Sequence, residues 1–370
     1  MKLNLGLLFG GRSGEHEVSL QSARSIANAV NREKFNLYLL AIDKLGNWFL
    51  ANESDYLFHE DDPENISLNV KPEQRVALIP DENSNRIIGF HDGKDLGKLD
   101  VIFPIMHGTF GEDGSLQGFC SMLNTPCVGA DVLGSSVGMD KLIAKKLLMQ
   151  AGIPVARYLV ADGNSDTNRI VEEIKDRFQY PAFVKPVCSG SSVGVYKAQN
   201  DKELIGSVGK ALRFDSKVLI EEAIEGREIE CSILGNDELI ASVPGEIIPK
   251  HAFYSYEAKY IDSEGARLDM PAKIGNDLAE KVRSTAKQAF RTLGCSGMAR
   301  VDMFLKPSGE VILNEINTLP GFTKISMYPR LLELSGITYP ELIDRLVNLA
   351  VERHKQKEAH LKNVLSESSY

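Results

Sequence analysis

The chain opens on a short apolar run, LNLGLLF at residues 3–9, cut off by Gly10 and Gly11. A run of this length bounded by a turn predicts a buried strand. From about Val18 to Val30 the pattern is that of a helix, and FNLYLLAID (35–43) is again strand-like. VALIPD (76–81) and DVIFPIMHG (100–108) read as further strands, while 51–75 is polar and loop-like. Strands alternating with helical segments predict a doubly wound α/β unit to about residue 125.

Further along, KLIAKKLLMQAG predicts a helix stopped by Gly152 and Pro154. YPAFVKP and SVGVYKA predict two strands flanking the loop VCSGS, and a helix-like stretch covers 201–213, giving a small middle unit over about 140–215. From Lys217 the β segments lengthen: VLIEEAI and EIECSILG bracket a Glu-Gly turn at 225–226. Residues 246–270, rich in Tyr and charge, predict a long loop, a feature that often carries function. A helix over about 276–293 leads into GMARVDMFLKPSGEVILNEIN, two antiparallel strands joined by KPSGE. A last helix, about 340–353, runs into a charged tail expected to fray.

Composition narrows the function classes. With 370 residues the chain has room for two or three domains. Its 42 basic and 51 acidic residues give a net charge of −9, which argues against a nucleic-acid partner. No apolar run approaches the roughly 20 residues of a membrane span, and the first residues lack a cleavage-site pattern, so a cytoplasmic protein without a membrane partner is expected. Five cysteines with no CxxC spacing predict reduced, buried thiols rather than disulfides or zinc.

The candidate chemistry begins with VILNEINTLPGFT (311–323), where Asn314, Glu315 and Asn317 interrupt an apolar strand. An unpaired carboxylate there would be costly. Side chains alternate along a strand, so Arg300 and Asp302 share one face, and Glu315 and Asn317 share one face. If those faces coincide, three oxygen ligands meet beside one guanidinium, a set suited to Mg²⁺ and a phosphate; a solvated hairpin face is the alternative. The glycine of LPGFT lets an amide approach an anion. FVKPVCSGSSVGVYK places Lys185 at a strand end before a Ser/Gly loop that could wrap phosphate or be an ordinary flexible turn. The chain has neither GxxxxGK[ST] nor GxGxxG, which excludes a Walker-type site and leaves a dinucleotide site weakly supported. The turn-to-helix start in LFGGRSGEHEVSL still favours an anion.

HGTFGEDGSLQG (107–118), the Lys185 loop, EAKY (257–260) and NEINTLPGFT (314–323), in this order, resemble the D-alanine–D-alanine ligases of the ATP-grasp superfamily, over residues 3 to about 350. The resemblance implies a three-domain ATP-grasp fold with an N-terminal doubly wound α/β domain: substrate-binding 1–125, central 126–215, C-terminal 216–370. It implies ATP-dependent joining of two D-alanines through an acyl-phosphate to D-alanyl-D-alanine, a peptidoglycan precursor. Two Mg²⁺ ions, with Mn²⁺ possible, and a homodimer belong to the same implication.

Carried over residue by residue, the resemblance implies that Glu15 holds the first D-alanine's ammonium, networked with Ser191 and Tyr260, with His107 nearby. Lys141, Lys185 and Lys259 would meet ATP phosphates; Glu221, Glu222, Ile224 and Glu228 would lie along the adenine and ribose. Asp302, Glu315 and Asn317 would bind metal. Arg300 and the Gly321 amide would face the oxyanion, and Ser326 with Met327 would take the second D-alanine. Tyr260 argues for an amine rather than a D-lactate nucleophile. Position 222 is Glu where some members carry Lys, and 255 is Ser where many carry Asp. Another amino-acid ligase, a non-catalytic nucleotide binder and a dinucleotide oxidoreductase are the rival readings.

Overall fold

The computed structural model describes residues 2–82, 84–249 and 266–367. Its first sheet has the order β3-β2-β1-β8, from β1 (Leu3–Gly10), β2 (Phe35–Ile42), β3 (Trp48–Ala51) and β8 (Val101–Ile105). β1 pairs in parallel with β2 and β8, while β3 is an antiparallel edge. The near-continuous apolar run of β1 follows from its central place, because a parallel strand is covered on both faces. Leu5, Leu7 and Phe9 pack with Leu20, Ala23 and Ile26 of α1 (His16–Ala29). Leu8 faces the opposite core with Leu40 and with Leu116 and Cys120 of α2 (Ser115–Met122). Between β3 and β8 lie a small pair, β4 (Leu57–Phe58) with β5 (Ser67–Leu68), and a hairpin, β6 (Val76–Asp81) with β7 (Ser84–Gly89). VALIPD is thus a strand, as its pattern indicates, but it belongs to this separate hairpin and not to the parallel sheet.

After α3 (Val132–Met139) and α4 (Lys141–Gln150) the chain enters a second sheet, antiparallel, in the order β11-β10-β12-β9. Its members are β9 (Tyr158–Asp162), β10 (Ala182–Pro186), β11 (Tyr196–Ala198) and β12 (Lys217–Glu222). α5 (Thr167–Arg177) and α6 (Asp201–Ala211) cover it through Ile170, Ile174, Leu204 and Val208. β12 pairs with β10 and β9, so Lys217–Glu222 lies on the central side of the 215/216 division that the sequence suggested. The β12 segment and the strand after the Glu-Gly turn do not pair; they belong to different sheets, and the turn is a crossing between them.

The third sheet has the order β16-β15-β13-β17-β18, with β14 (Ile240–Ala241) paired to β13 (Arg227–Gly235). β15 (Gly245–Pro249) and β16 (Ala266–Asp269) form the two ends of the stretch expected as a loop. α7 (Asn276–Thr292) packs Val282, Ala286 and Phe290, together with Ala144 and Leu148 of α4, onto Val301 and Met303 of β17 (Gly297–Leu305) and Leu313 of β18 (Val311–Asn317). α4, which precedes the second sheet in the chain, therefore packs on the third. α8 (Met327–Glu333) and α9 (Tyr339–Glu367) close the fold. α9 runs past residue 353 because ERHKQKEAHLKN holds no Gly or Pro to stop it. Its Leu342, Ile343, Leu346 and Val347 share one core with Leu5, Leu7 and Phe9, so the end of the chain is built into the first sheet.

One half-buried side chain ties these parts. Arg353 donates to the carbonyls of Cys127 (2.8 Å) and Gly129 and to the Ser296 hydroxyl. Burial pulls its pKa below the ordinary arginine value. Arg353→Met should destabilise the fold by roughly 3 kcal/mol, because three acceptors lose their donor. Urea unfolding of the variant checks this; an unchanged midpoint would contradict it.

Candidate active site

The hairpin faces coincide. Arg300 lies opposite Asn317 and Asp302 opposite Glu315 in the β17–β18 register. At the next residue of β17 the register is displaced: Met303 faces Leu313, leaving Asn314 as an extra residue in a β-bulge. The bulge changes the phase of the strand. Leu313 and Ile316 enter the apolar core, whereas the adjacent Asn314 and Glu315 both line the cleft. A regular strand cannot turn two successive side chains to one face.

On this face Arg300 binds Asp302 with both prongs, Nε to Oδ1 at 2.8 Å and Nη2 to Oδ2 at 2.7 Å. Asn317 Nδ2 donates to Asp302 Oδ2 at 3.0 Å. Glu230, directly across from Asp302 on β13, lies 3.0 Å from Arg300 Nε. Sequence reasoning passed over Glu230, whose alternation with Glu228 in REIECSILG was the available signal.

The second sheet supplies cations. Lys185 Nζ sits 2.7 Å from Glu221 Oε2 and donates to Asn314 Oδ1 at 3.2 Å. Lys145, also missed, holds Glu221 Oε1 at 2.9 Å. Burial alone would raise the Glu221 carboxyl, but the two lysines hold it down at about 2. Burial likewise disfavours the Lys185 ammonium, and Glu221 reverses that and raises its pKa. Lys141, at the start of α4, donates to the Ser189 carbonyl at 2.6 Å and lies 3.9 Å from Glu315. Glu222 is paired with Arg157 at the rim, and Ile224 and Glu228 line the same cleft. The cavity between the two sheets measures about 600 Å³.

A second cluster forms where β1 and β8 end. Ser191 donates to Glu15 Oε1. Ser191 and Ser192 hold left-handed backbone conformations, φ 50° and 60°, at roughly 1–2 kcal/mol each. A Cβ on Gly108 would stand 3.0 Å from Glu15 Oε2, and its φ of +72° also excludes most side chains, so the glycine of HG is required there. His107 is buried and pairs through Nδ1 with the Leu319 carbonyl at 2.9 Å. A carbonyl only accepts, so Nδ1 carries the proton and Nε2 is the acceptor.

Glu112, in the GEDG of the same loop, accepts from the amides of Gly108 (2.8 Å) and Leu319 (3.1 Å). His107 and Glu112 thus grip LPGFT by one residue's main chain. Burial and the nearby Glu15 push the Glu112 pKa up to about 7. An unfolded Glu titrates near 4.5, so folding takes up a proton between these values. The resulting stability is full below about 4.5 and lost as pH rises through 7. The parent should therefore lose about 2 kcal/mol more than Glu112→Gln between pH 5.5 and 8, measured by urea unfolding; parallel losses would contradict this.

Gly321 and Ser326 are close neighbours: a Cβ on Gly321 would meet Ser326 Oγ at 2.9 Å. Ser326 Oγ accepts from the Thr323 amide at 3.0 Å. The Met327 side chain is buried with Ile247 and Leu331, so only its main chain can face a ligand. Lys259 and Tyr260, with Ser255, lie outside the described residues. Among the described residues no three Asp, Glu, His or Cys side chains form a ready metal cage. The carboxylates of Asp302 and Glu315 and the amide oxygen of Asn317 nevertheless offer oxygen ligands, with Arg300 standing as a countercharge, and this donor set fits a hard divalent cation. No helix among the described residues is long and apolar enough to cross a membrane.

The family models described as "D-ala D-ala ligase N-terminus" and "D-ala D-ala ligase C-terminus" match residues 4–130 and 147–348. The chain is 51% identical to a D-alanine–D-alanine ligase of Oceanobacillus iheyensis, over 99% of this chain and 100% of that protein. It superposes on the D-alanine–D-alanine ligase from Coxiella burnetii with a TM-score of 0.86, at 34% identity, covering 100% and 99% of the two chains. A D-alanine–D-alanine ligase from Bacillus anthracis, solved in complex with ATP, matches at TM-score 0.71 and 25% identity, covering 96% and 99%.

Proposed function

This chain belongs to the D-alanine–D-alanine ligase family, and we infer that it joins two molecules of D-alanine into D-alanyl-D-alanine with conversion of ATP to ADP in the cleft between its second and third sheets. The single observation that carries the reading is the hairpin face on which Arg300, Asp302, Glu315 and Asn317 meet, whose Asp302 and Glu315 line one cavity together with Lys141 and Lys185. A polyanion fits between such walls, and a carboxylate substrate can be activated beside it.

In this reading the triphosphate lies along Lys141, Lys185 and the Ser/Gly loop, with the base toward Glu221, Glu222, Ile224 and Glu228. The Glu221 carboxylate acts through the lysines it binds, so its own contact with the base is through the main chain. Lys259 is assigned to the phosphates as well. The first D-alanine sits by Glu15, Ser191, His107 and Tyr260, its carboxylate turned toward the γ-phosphoryl. Transfer of that phosphoryl from ATP makes an acyl-phosphate and ADP; the amine of the second D-alanine, held by Ser326 and the Met327 main chain, attacks its carbonyl, loses a proton and expels inorganic phosphate as the C–O bond breaks. Arg300 and the Gly321 amide face the oxygen on which negative charge grows, where preorganised donors count most. Asp302, Glu315 and Asn317 would hold Mg²⁺, two ions in the family pattern, with Mn²⁺ also suited. Bound there, the cation neutralises phosphate oxygens.

The division into an N-terminal substrate domain, a central and a C-terminal domain is part of the same proposal, with the central sheet extended to Glu222. We also assign a homodimer in the cytoplasm. An apolar surface supports the dimer: Leu45 (80% exposed) and Phe110 join Trp48 and Phe119 around a cavity of about 290 Å³ on the first unit. The test of the main reading is ADP release with D-alanine and Mg²⁺, followed by mass identification of the product. No ADP, or ADP without the dipeptide, would sink it.

A further inference from the structure

Lys141 and Lys145 are one helical turn apart on α4, so their side chains leave the same face. Lys141 reaches the mouth of the cleft; Lys145 stops behind it. The Lys145 side chain is 3% exposed, with its Nζ 2.9 Å from Glu221 Oε1 and 5.7 Å from the centre of the Tyr158 ring. Glu221, 4% exposed, holds Lys185 by its other oxygen at 2.7 Å. One carboxylate is therefore gripped at both oxygens by two ammoniums, one sealed in the protein and one lining the cavity.

The charges decide what this does. Lys185 with Glu221 alone is a neutral pair, and at low dielectric the carboxylate would cancel most of the pull of Lys185 on a phosphate. With Lys145 the three groups carry one net positive charge, and the accessible part of it is at the cleft. The second ammonium also stops the carboxylate from turning, which fixes Lys185 between Glu221 and Asn314. Burial draws the Lys145 pKa down, so without Glu221 this lysine would tend to shed its proton.

We propose that Lys145 is a positioning residue for nucleotide binding: it supplies the fixed countercharge of Glu221, and so leaves the charge of Lys185 aimed at, and available to, the phosphates. The proposal rests on the reading that Lys185 meets those phosphates.

The test compares the full chain with Lys145→Met, Lys145→Met/Glu221→Gln and Lys185→Met, by calorimetric binding of ADP with Mg²⁺ and by steady-state kinetics. Lys145→Met should weaken ADP binding and raise the KM for ATP about tenfold, with kcat altered less than about threefold. The double variant should bind ADP at least about threefold tighter than Lys145→Met, because removing both buried charges frees Lys185 again. A packing role predicts no such recovery. Parental affinity in Lys145→Met, or a double variant no tighter than the single, overturns the proposal. If Lys145→Met does not fold, the double variant decides: ADP affinity within about tenfold of the parent supports the proposal, and weaker binding overturns it. Unchanged binding in Lys185→Met overturns the reading of the cleft and the proposal with it. Weakened binding there, with Lys145→Met unaffected, overturns the proposal alone.

Discussion

Arg300→Ala is expected to lower kcat by about 10²–10³-fold at saturating ATP and D-alanine. The guanidinium is held rather than loose: two prongs on Asp302 and a third contact to Glu230 fix its plane before substrate arrives. A donor fixed in advance needs no reorganisation when charge develops on the substrate, which is why its removal reaches kcat and not KM alone. The loss has a second part. Glu230 and Asp302 face each other across β13 and β17, and without Arg300 two carboxylates stand as direct cross-strand neighbours, an unfavourable pairing. Arg300→Lys keeps the charge but not the fork, and should recover only part of the turnover. Circular dichroism on each variant separates a catalytic loss from unfolding. Near-parental turnover in a folded Arg300→Ala would remove Arg300 from the mechanism.

Asp302→Asn should raise the Mg²⁺ concentration for half-maximal activity about tenfold and reduce kcat about 10²-fold. The substitution keeps the shape and removes one negative charge. It also puts an amide N–H₂ where an oxygen accepted: in the Oδ1 place it loses the 2.8 Å bond from Arg300 Nε, and in the Oδ2 place the bonds from Arg300 Nη2 at 2.7 Å and Asn317 at 3.0 Å. Direct Mn²⁺ binding, followed by electron paramagnetic resonance, reports on the site independently of turnover. An unchanged cation requirement together with unchanged Mn²⁺ affinity would mean that the three oxygen side chains serve Arg300 and not a metal.

Much of this was legible in the residues. Buried strands such as Leu3–Gly10 and the hairpin over 297–317 have patterns that survive in any fold containing them, because alternation and turn chemistry are local. The strand at Tyr158–Asp162 and the helix at Thr167–Arg177 leave no clear signal in the sequence: both are short, and the helix is mostly polar, with Ile170, Val171 and Ile174 its only buried residues. The pattern of VALIPD predicts a strand but not its pairing with SNRIIG, since a pairing partner is not a property of one segment. The roles of Glu230, Lys145 and Glu112, and the partner of Asn314, are not legible in the sequence for a shared reason. Each works through a partner far along the chain, such as Glu112 on the Leu319 amide, 207 residues away.

By itself the sequence determined which side chains exist to do chemistry and how they are spaced along each strand, turn and helix: Arg300 two before Asp302, Glu315 two before Asn317, Lys185 at the lip of its loop. These spacings follow from bond geometry and backbone period, which need no neighbours. Only the tertiary structure decided the phase of β18, through the extra residue Asn314, and the joining of α4 to the third sheet and of α9 to the first. It also decided that the Glu221 side chain belongs to two lysines. Those outcomes depend on which buried surfaces and charges meet, and a charge out of contact with water takes its energy from whichever partner the fold brings within about 3 Å.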